Sequence, residues 1–172
     1  MFIIYHGIRA TQIDPEDRLI PIQDECNRLN QSFKDENKYP GAPSVQVNKI
    51  DAVSPFYLAD KEVTPIEVTH YKMPVLGYRI DDFAYLTDVK TITATEKEKL
   101  KNLDVLVLNA LRIDPHPSHL NLDEALALIE ELQPKRAYLT HISHLLGFHD
   151  EVQAGLPEGV FLAYDNLKIS SN

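Results

Sequence analysis

The sequence is poor in the residues that stabilise small extracellular domains. Cys26 is its only cysteine, and it has no tryptophan. One cysteine excludes a disulfide framework and a cysteine-based zinc site within a single chain, which is typical of proteins in a reducing compartment. No apolar run approaches the ~18–20 residues that span a bilayer. The opening MFIIYHGIRA lacks the basic region and cleavage site of a signal peptide. We therefore expect a cytoplasmic protein with no membrane partner.

Positive charge is also scarce, since 17 Lys and Arg residues stand against 26 Asp and Glu residues and give a net charge of −9. This balance argues against nucleic acid as a strong partner. The apolar fraction of 44% and the charged fraction of 25% are ordinary for a globular protein. A chain of 172 residues without repeats or an evident linker fits one domain, which we expect to cover residues 1–172.

The hydrophobic pattern predicts a block of strands, followed by strands that alternate with helices, as in an α/β layered fold. Two prolines and a glycine predict a turn at Tyr39–Pro43. Helical spacing and caps predict helices at Asp24–Phe33, Thr95–Leu100, Asn121–Leu132 and Phe148–Ala154. Alternating or continuous apolar runs predict strands at Ser44–Ile50, Phe56–Leu58, Val63–Val68, Val75–Ile80, Phe83–Leu86, Val105–Leu108, Ala137–Leu139, and Val160–Ala163 in a hairpin with Leu167–Ile169.

Three metal-ligating residue types follow predicted strands. His70 comes after the strand Val63–Val68, and Asp88 and His141 each end a later strand. Taken singly, each is more typical of a surface histidine or a turn aspartate. Together they match one recurring way to assemble a divalent metal site, because imidazole and carboxylate suit Zn²⁺ and Mn²⁺. Such an ion acidifies a bound water and polarises a phosphoryl or carbonyl oxygen, and a nearby histidine can protonate the leaving group.

Further histidines lie close to these residues in the sequence. His116 and His119 belong to the segment Asp-Pro-His-Pro-Ser-His, directly before a helix that Ser118 or Asn121 is expected to cap. His144 follows His141 by three residues. The sequence has no glycine-rich phosphate loop and no G-x-S-x-G nucleophile motif, so other catalytic arrangements have no support.

Five short motifs occur in a fixed order, at residues 39–43, 68–80, 85–89, 115–119 and 138–144. This series resembles the metallo-β-lactamase-fold hydrolases, and among them the PhnP-like branch of cyclic phosphodiesterases related to RNase Z. The resemblance covers nearly the whole chain. It implies a metallo-β-lactamase-like αββα sandwich, of which this chain would be the C-terminal two-thirds, truncated at its N-terminus.

The resemblance also implies roles for the strand-end residues. His70 matches a ligand of one metal ion, His141 matches a ligand of the other, and Asp88 matches the aspartate that bridges them. Intact family members hold two ions, Zn or Mn, at each site.

Three other histidines receive roles in the same way. His119 matches a catalytic histidine that faces the scissile phosphate and donates a proton. His116 and His144 would lie behind the ligands and support them. The implied substrate is a small phosphodiester, cyclic or nucleotide-derived, and the PhnP-like relatives suggest a homodimer.

One departure from the family is large, because the motif His-x-His-x-Asp-His, which supplies most of the metal ligands, is absent from the sequence. We therefore expect at most one weakly held ion and no activity of this chain alone. Two interpretations follow. Either the chain is part of an intact hydrolase, or it is a degenerate, non-catalytic interaction domain. Hydrolysis of a thioester, lactam or lactone also stays open, since fold alone does not choose the bond.

Overall fold

The computed structural model describes residues 50–170. The helix expected at Asp24–Phe33, the turn at Tyr39–Pro43 and the strand at Ser44–Ile50 lie outside these residues, apart from Ile50, which is not part of a strand.

The described residues form one sheet with helices. Its strands are β1 Phe56–Leu58, β2 Lys61–His70, β3 Met73–Ile80, β4 Phe83–Leu86, β5 Thr91–Ile92, β6 Val105–Asn109, β7 Arg136–Thr140 and β8 Val160–Leu162. Their spatial order is β1-β2-β3-β4-β6-β7-β8, and the short β5 pairs with β2. All predicted strands between residues 56 and 162 are present, whereas β5 was not predicted.

The sheet is mixed, which confirms the predicted α/β class. Strands β1 to β4 pair in antiparallel fashion, and β4, β6, β7 and β8 are parallel. A tight turn at Asp81-Asp82 joins β3 to β4, with Asp81 at φ 51°. Every residue of β6 is buried, as a continuous apolar run in a parallel sheet predicts.

Three helices are described, namely α1 (Ala94–Glu98), α2 (Leu122–Leu132) and α3 (His149–Ala154). Asn121 caps α2 in a capping box with Glu124, and Gln133 ends the helix at φ 49° directly before Pro134. The buried face of α2 carries Ala125, Leu128, Ile129 and Leu132, which form one apolar cluster with Leu106 and Leu108 of β6 and with Ala137 and Leu139 of β7. Because these strand residues alternate along the chain, α2 covers one face of the parallel half of the sheet.

One prediction at the level of secondary structure was wrong, and one helix has different bounds from those predicted. The segment Leu167–Ile169 is not a strand, although a turn forms at Asp165-Asn166, with Asn166 at φ 67°. Strand β8 pairs with β7 in parallel instead, and Arg136 donates a hydrogen bond to the Ser170 backbone oxygen at 2.9 Å. The helix expected at Thr95–Leu100 is present as α1, but it begins one residue earlier and ends two residues earlier, and Thr93 accepts the capping hydrogen bond from the Glu96 backbone nitrogen.

Two side chains, one in α1 and one directly after it, form hydrogen bonds with backbone groups of β2. These groups lie on the outer edge of β2, between its pairings with β1 and β5. Lys99 donates to the Pro65 backbone oxygen at 3.1 Å, and the Glu96 carboxylate accepts from the Glu67 backbone nitrogen at 2.8 Å. Lys99 and Glu96 also pair with each other at 2.8 Å. Pro65 has no N–H with which to pair a further strand, and at this part of the edge the backbone groups of β2 bond to side chains instead.

None of the helices in the part of the chain described here is long and apolar enough to cross a membrane. The single domain expected over residues 1–172 stays a prediction.

Candidate metal centre

The topology brings several loops of the sheet to one edge. Strands β2, β4, β6 and β7 all run in the same direction, because β2 and β4 are each antiparallel to β3 and the others are parallel to β4. Their carboxyl ends therefore meet at the same edge, which is where sites form in open α/β sheets. His70 ends β2, Asp88 comes two residues after β4, and His141 directly follows β7. His119 lies in the loop between β6 and α2.

Asp88 lies at the centre of this group. Its Oδ1 atom lies 3.0 Å from Nε2 of His119, 3.7 Å from Nε2 of His141 and 4.0 Å from Nε2 of His70. The His119 ring lies between the other two imidazoles, at 4.6 Å from each ring centroid. We call His70, Asp88, His119 and His141 the histidine–aspartate cluster. The structure thus brings together all the residues that the sequence singled out as ligands and as the proton donor.

The donor atoms of the cluster fit a divalent metal ion. Ligand atoms of His70, Asp88 and His119 all lie within 4.8 Å of one another. The Nε2 atom of His70 is buried and has no hydrogen-bond partner among the described residues. A buried polar atom without a partner is costly, and ligation of an ion would satisfy it. Imidazole nitrogens and a carboxylate oxygen are ligands that Zn²⁺ and Mn²⁺ accept. Two of the three predicted ligands, His70 and Asp88, thus belong to a group that fits the expected metal, and its third member is His119 rather than the predicted His141. The assignment of His141 as a ligand and of His119 as the proton donor stays a prediction.

The backbone is unusual at two positions of the cluster. Asp88 and His141 have φ values of 58° and 57°, in the left-handed region that residues other than glycine rarely adopt. Such conformations persist only where surrounding contacts enforce them, and they concentrate at functional sites.

Asn109 supplies one of these enforcing contacts. Its side chain accepts a hydrogen bond from the Val89 backbone nitrogen at 2.8 Å and donates to the Val89 backbone oxygen at 3.1 Å. Asn109 ends β6 and is fully buried. The Val89 oxygen also accepts from the Leu120 backbone nitrogen at 2.8 Å. Asn109 thus ties the residue after Asp88 to the adjacent strand, and the Leu120 contact joins the same residue to the loop that carries His119.

Burial and the charges within the cluster shift the pKa values of Asp88 and His119. Burial raises the pKa of the Asp88 carboxyl, but the hydrogen bond from His119 and the positive charges of His141, His119 and His70 outweigh it, so the pKa lies below its ordinary value. Burial lowers the pKa of His119, and positive charge on His141 and His70 lowers it further against the opposing hydrogen bond to Asp88. These shifts favour an ionised Asp88 beside a neutral His119 at neutral pH.

The two remaining predicted histidines differ in their placement. The His116 ring lies 5.3 Å from that of His119, next to the cluster, and burial followed by the positive charge of Arg112 lowers its pKa. His144 is exposed and makes no hydrogen bond, ion pair or ring contact with the residues described here. The structure therefore does not place His144 in contact with a predicted ligand.

Sequence reasoning missed two residues near the cluster. Asn109 is the single polar residue of an otherwise apolar buried strand, and this was the signal that could have revealed it. Ser118 was expected as one of two caps for α2, but Asn121 fills that position. The Ser118 hydroxyl instead lies 2.9 Å from Nδ1 of His119 and 3.1 Å from Nδ1 of His116.

Comparison with known proteins gives a family match and several relatives. Residues 19–142 match the model of the beta-lactamase superfamily domain. The crystal structure of a diphosphatase from the PhnP family is 38% identical, with a TM-score of 0.72 over 75% of this chain and 50% of that one. The short form of human tRNase Z is 21% identical, with a TM-score of 0.52 over 67% of this chain and 45% of that one.

Another relative has a name that states a different activity from that of the diphosphatase. An octanoyltransferase of Porphyromonas gingivalis is 36% identical over 143 residues, which are 83% of this chain and 29% of that protein. The chain thus spans half or less of the length of each of these three relatives.

Proposed function

Because this chain belongs to the family of the beta-lactamase superfamily domain, we propose that it carries part of the metal centre of a hydrolase that cleaves phosphodiester bonds. The resemblance expected from the five motifs, to the metallo-β-lactamase-fold hydrolases, is confirmed, and with it the fold. The proposed substrates are small, either cyclic phosphodiesters or nucleotide-derived ones. The observation that carries the proposal is the convergence of three imidazole Nε2 atoms within 4.0 Å of one Asp88 oxygen.

We assign the cluster residues as follows. His70, Asp88 and His141 would hold Zn or Mn. When bound, the ion supplies an acidified water and a Lewis acid for a phosphoryl oxygen. His119 would donate a proton from Nε2 to the leaving oxygen, because this nitrogen points into the cluster, 3.0 Å from Asp88. A phosphodiester beside that nitrogen would favour protonated His119, since a nearby negative charge raises the pKa of an imidazole.

The preference for phosphorus over carbon substrates is supported by one relative, the PhnP-family protein at 38% identity, which is a diphosphatase. Octanoyl transfer is not proposed for this chain. The alignment covers only 29% of the protein of that name.

The described cluster offers fewer ligands than a pair of ions needs. The sequence has no His-x-His-x-Asp-His motif, and structural or catalytic zinc sites use three or four protein ligands for each ion. We therefore propose that this chain by itself holds at most one ion, weakly, and that turnover needs further ligands. The absence of the motif also favours a second candidate, a non-catalytic domain that keeps the fold as an interaction scaffold.

The test is to join a segment carrying the His-x-His-x-Asp-His motif before Met1 and to measure hydrolysis of bis(p-nitrophenyl) phosphate with added Zn²⁺ or Mn²⁺. Asp88→Asn should abolish metal-dependent turnover in this fusion. Asp150→Asn is the matched control, since the Asp150 side chain is fully exposed. p-Nitrophenyl acetate tests for hydrolysis at carbon.

Turnover of the phosphodiester that depends on Asp88 supports the proposal. A folded, metal-loaded fusion that cleaves only the carboxylic ester would overturn the phosphodiester assignment. One that cleaves neither would favour the non-catalytic interaction domain.

A further inference from the structure

Ser118 lies between two histidines at the margin of the cluster. Its Oγ atom is 2.9 Å from Nδ1 of His119 and 3.1 Å from Nδ1 of His116. The Ser118 backbone nitrogen also donates to Nδ1 of His116, at 3.3 Å. Ser118 is therefore bonded to the side of the His119 ring that faces away from Asp88.

The hydrogen bonds on this side of the ring leave two arrangements. Nδ1 of His116 accepts from the Ser118 backbone N–H, so it carries a lone pair and no proton. The Ser118 hydroxyl can donate to Nδ1 of His119, or it can donate to Nδ1 of His116 and accept from a proton on Nδ1 of His119. Nδ1 of His119 also lies 3.4 Å from Nδ1 of His116.

The other side of the ring decides between these arrangements. Nε2 of His119 lies 3.0 Å from Oδ1 of Asp88, and an ionised carboxylate can only accept a hydrogen bond. A bare Nε2 would set two lone pairs against each other at this distance, whereas an Nε2–H donates well. The ring proton of neutral His119 is therefore on Nε2, and the Ser118 hydroxyl donates to Nδ1 at 2.9 Å.

We propose that Ser118 is a positioning residue that holds His119 in its Nε2–H tautomer, with that nitrogen directed at Asp88. The hydroxyl donates to Nδ1 of the neutral ring and, by rotating, accepts from Nδ1–H of the protonated ring, so it holds the same orientation in both states. Outer residues of this kind fix the tautomer and direction of a site histidine. The consequence for catalysis rests on the proposed function, because it gives His119 the role of proton donor.

The first test measures the tautomer directly. Two-bond ¹H–¹⁵N correlation spectra of the full chain, labelled with ¹⁵N-histidine, are recorded at pH 8, where an imidazole of ordinary pKa is neutral. The His119 signals are assigned from a His119→Asn variant. The expected result is a protonated Nε2 and an unprotonated Nδ1 for His119 in the wild type. Nδ1 carrying the proton in the wild type overturns the proposal without the need for any variant.

The variants then separate the hydroxyl from general packing. Without the hydroxyl, Nδ1 of His119 loses its donor and faces the lone pair on Nδ1 of His116, 3.4 Å away, which favours a proton on Nδ1. Ser118→Ala should therefore give a mixture of His119 tautomers, and Ser118→Thr, which keeps the hydroxyl, should restore the wild-type pattern. An unchanged His119 tautomer in Ser118→Ala overturns the proposal.

In the active fusion, Ser118→Ala should lower kcat roughly 10- to 100-fold with little change in KM, as loss of an outer-shell contact commonly does. An inactive fusion would count against the proposed function alone, because the tautomer is measured without turnover.

Discussion

Asn109 shows how one buried polar side chain holds the backbone beside a site. Its amide group pairs with both backbone polar atoms of Val89, next to the left-handed Asp88. Removing the amide leaves the Val89 N–H without its partner inside the protein. A buried donor left unsatisfied costs about 1–3 kcal/mol, and the cavity adds to that cost.

We expect Asn109→Ala to lower the free energy of unfolding by about 2–4 kcal/mol. Urea denaturation followed by circular dichroism measures this change. A loss smaller than about 0.5 kcal/mol, the range of neutral surface substitutions, would show that the Val89 backbone finds other partners.

Some residues of the site could be predicted from the sequence and others could not. His70, Asp88 and His141 were identified from residue type and position after strands, and His119 from the segment before a helix and from the family resemblance. Ser118 was considered only as one of two caps for that helix, and Asn121, the other one, fills the position.

Helix α1 and strand β2 depend on each other through a pair of charged side chains. Lys99 and Glu96 are 25% and 14% exposed, and each also bonds to the backbone of β2. Lys101 and Glu98 form another pair with the same spacing, but their side chains are 62% and 64% exposed. Two pairs of one type in different surroundings offer a matched comparison.

Lys99→Met should destabilise the protein by about 1–3 kcal/mol, because Glu96 loses its cation and the Pro65 oxygen loses a donor. Lys101→Met should cost less than about 1 kcal/mol, as is usual for exposed ion pairs. Thermal or urea unfolding of both variants measures these two losses of stability. Equal losses would contradict the role assigned to Lys99 at the edge of β2.

The first turn of α2 carries a charge that should make stability depend on pH. Burial raises the pKa of Glu124, but hydrogen bonds from Lys90 and from the Asn121 backbone outweigh it, so the pKa lies below the ordinary 4.5. A carboxyl whose pKa is lower in the folded state stabilises the protein above its unfolded pKa. That stabilisation is lost as the pH falls through the folded value.

Glu124→Gln should therefore be less stable than the wild type at neutral pH, and the difference should shrink as the pH is lowered below about 4.5. The free energy of unfolding of both proteins, measured in urea at several pH values, gives the answer. Glu130→Gln, a like change at an exposed position of α2, controls for loss of one negative charge. A difference that stays constant down to acid pH would contradict the contribution of the ionised carboxylate.

At the scale of the whole molecule, the strand order makes the site. Four strands with a common direction deliver His70, Asp88, His119 and His141 to one edge, although 71 residues separate the first from the last. An ion that binds this edge links loops that are remote in sequence. Binding to the folded state alone should then stabilise the fold.

Zn²⁺ at roughly 100 times its dissociation constant should add about 2.7 kcal/mol. This amount should raise the Tm of a chain of this size by about 5–10 °C. Asp88→Asn should lose most of the rise, whereas Asp150→Asn should keep it. Differential scanning calorimetry with and without Zn²⁺ measures the effect, and EDTA should reverse it. An equal rise in Asp88→Asn would mean that the ion binds elsewhere.

The sequence by itself determined most of the elements and the membership of the cluster. Continuous apolar runs predicted β6 and β7, apolar residues at helical spacing predicted α2, and histidines after strands indicated where metal chemistry would lie. These properties depend on spacing along the chain, which is visible without coordinates.

Only the tertiary structure decided which side chains touch. Three contacts across loops and strands are examples: the hydrogen bond between Ser118 and His119, the two hydrogen bonds between Asn109 and Val89, and the pairing of β5 with β2. Local periodicity does not encode them, because they depend on strand order and on how each loop closes. The parallel direction of β2, β4, β6 and β7 likewise exists only in the folded sheet, and it is what turns separated histidines and one aspartate into a single centre.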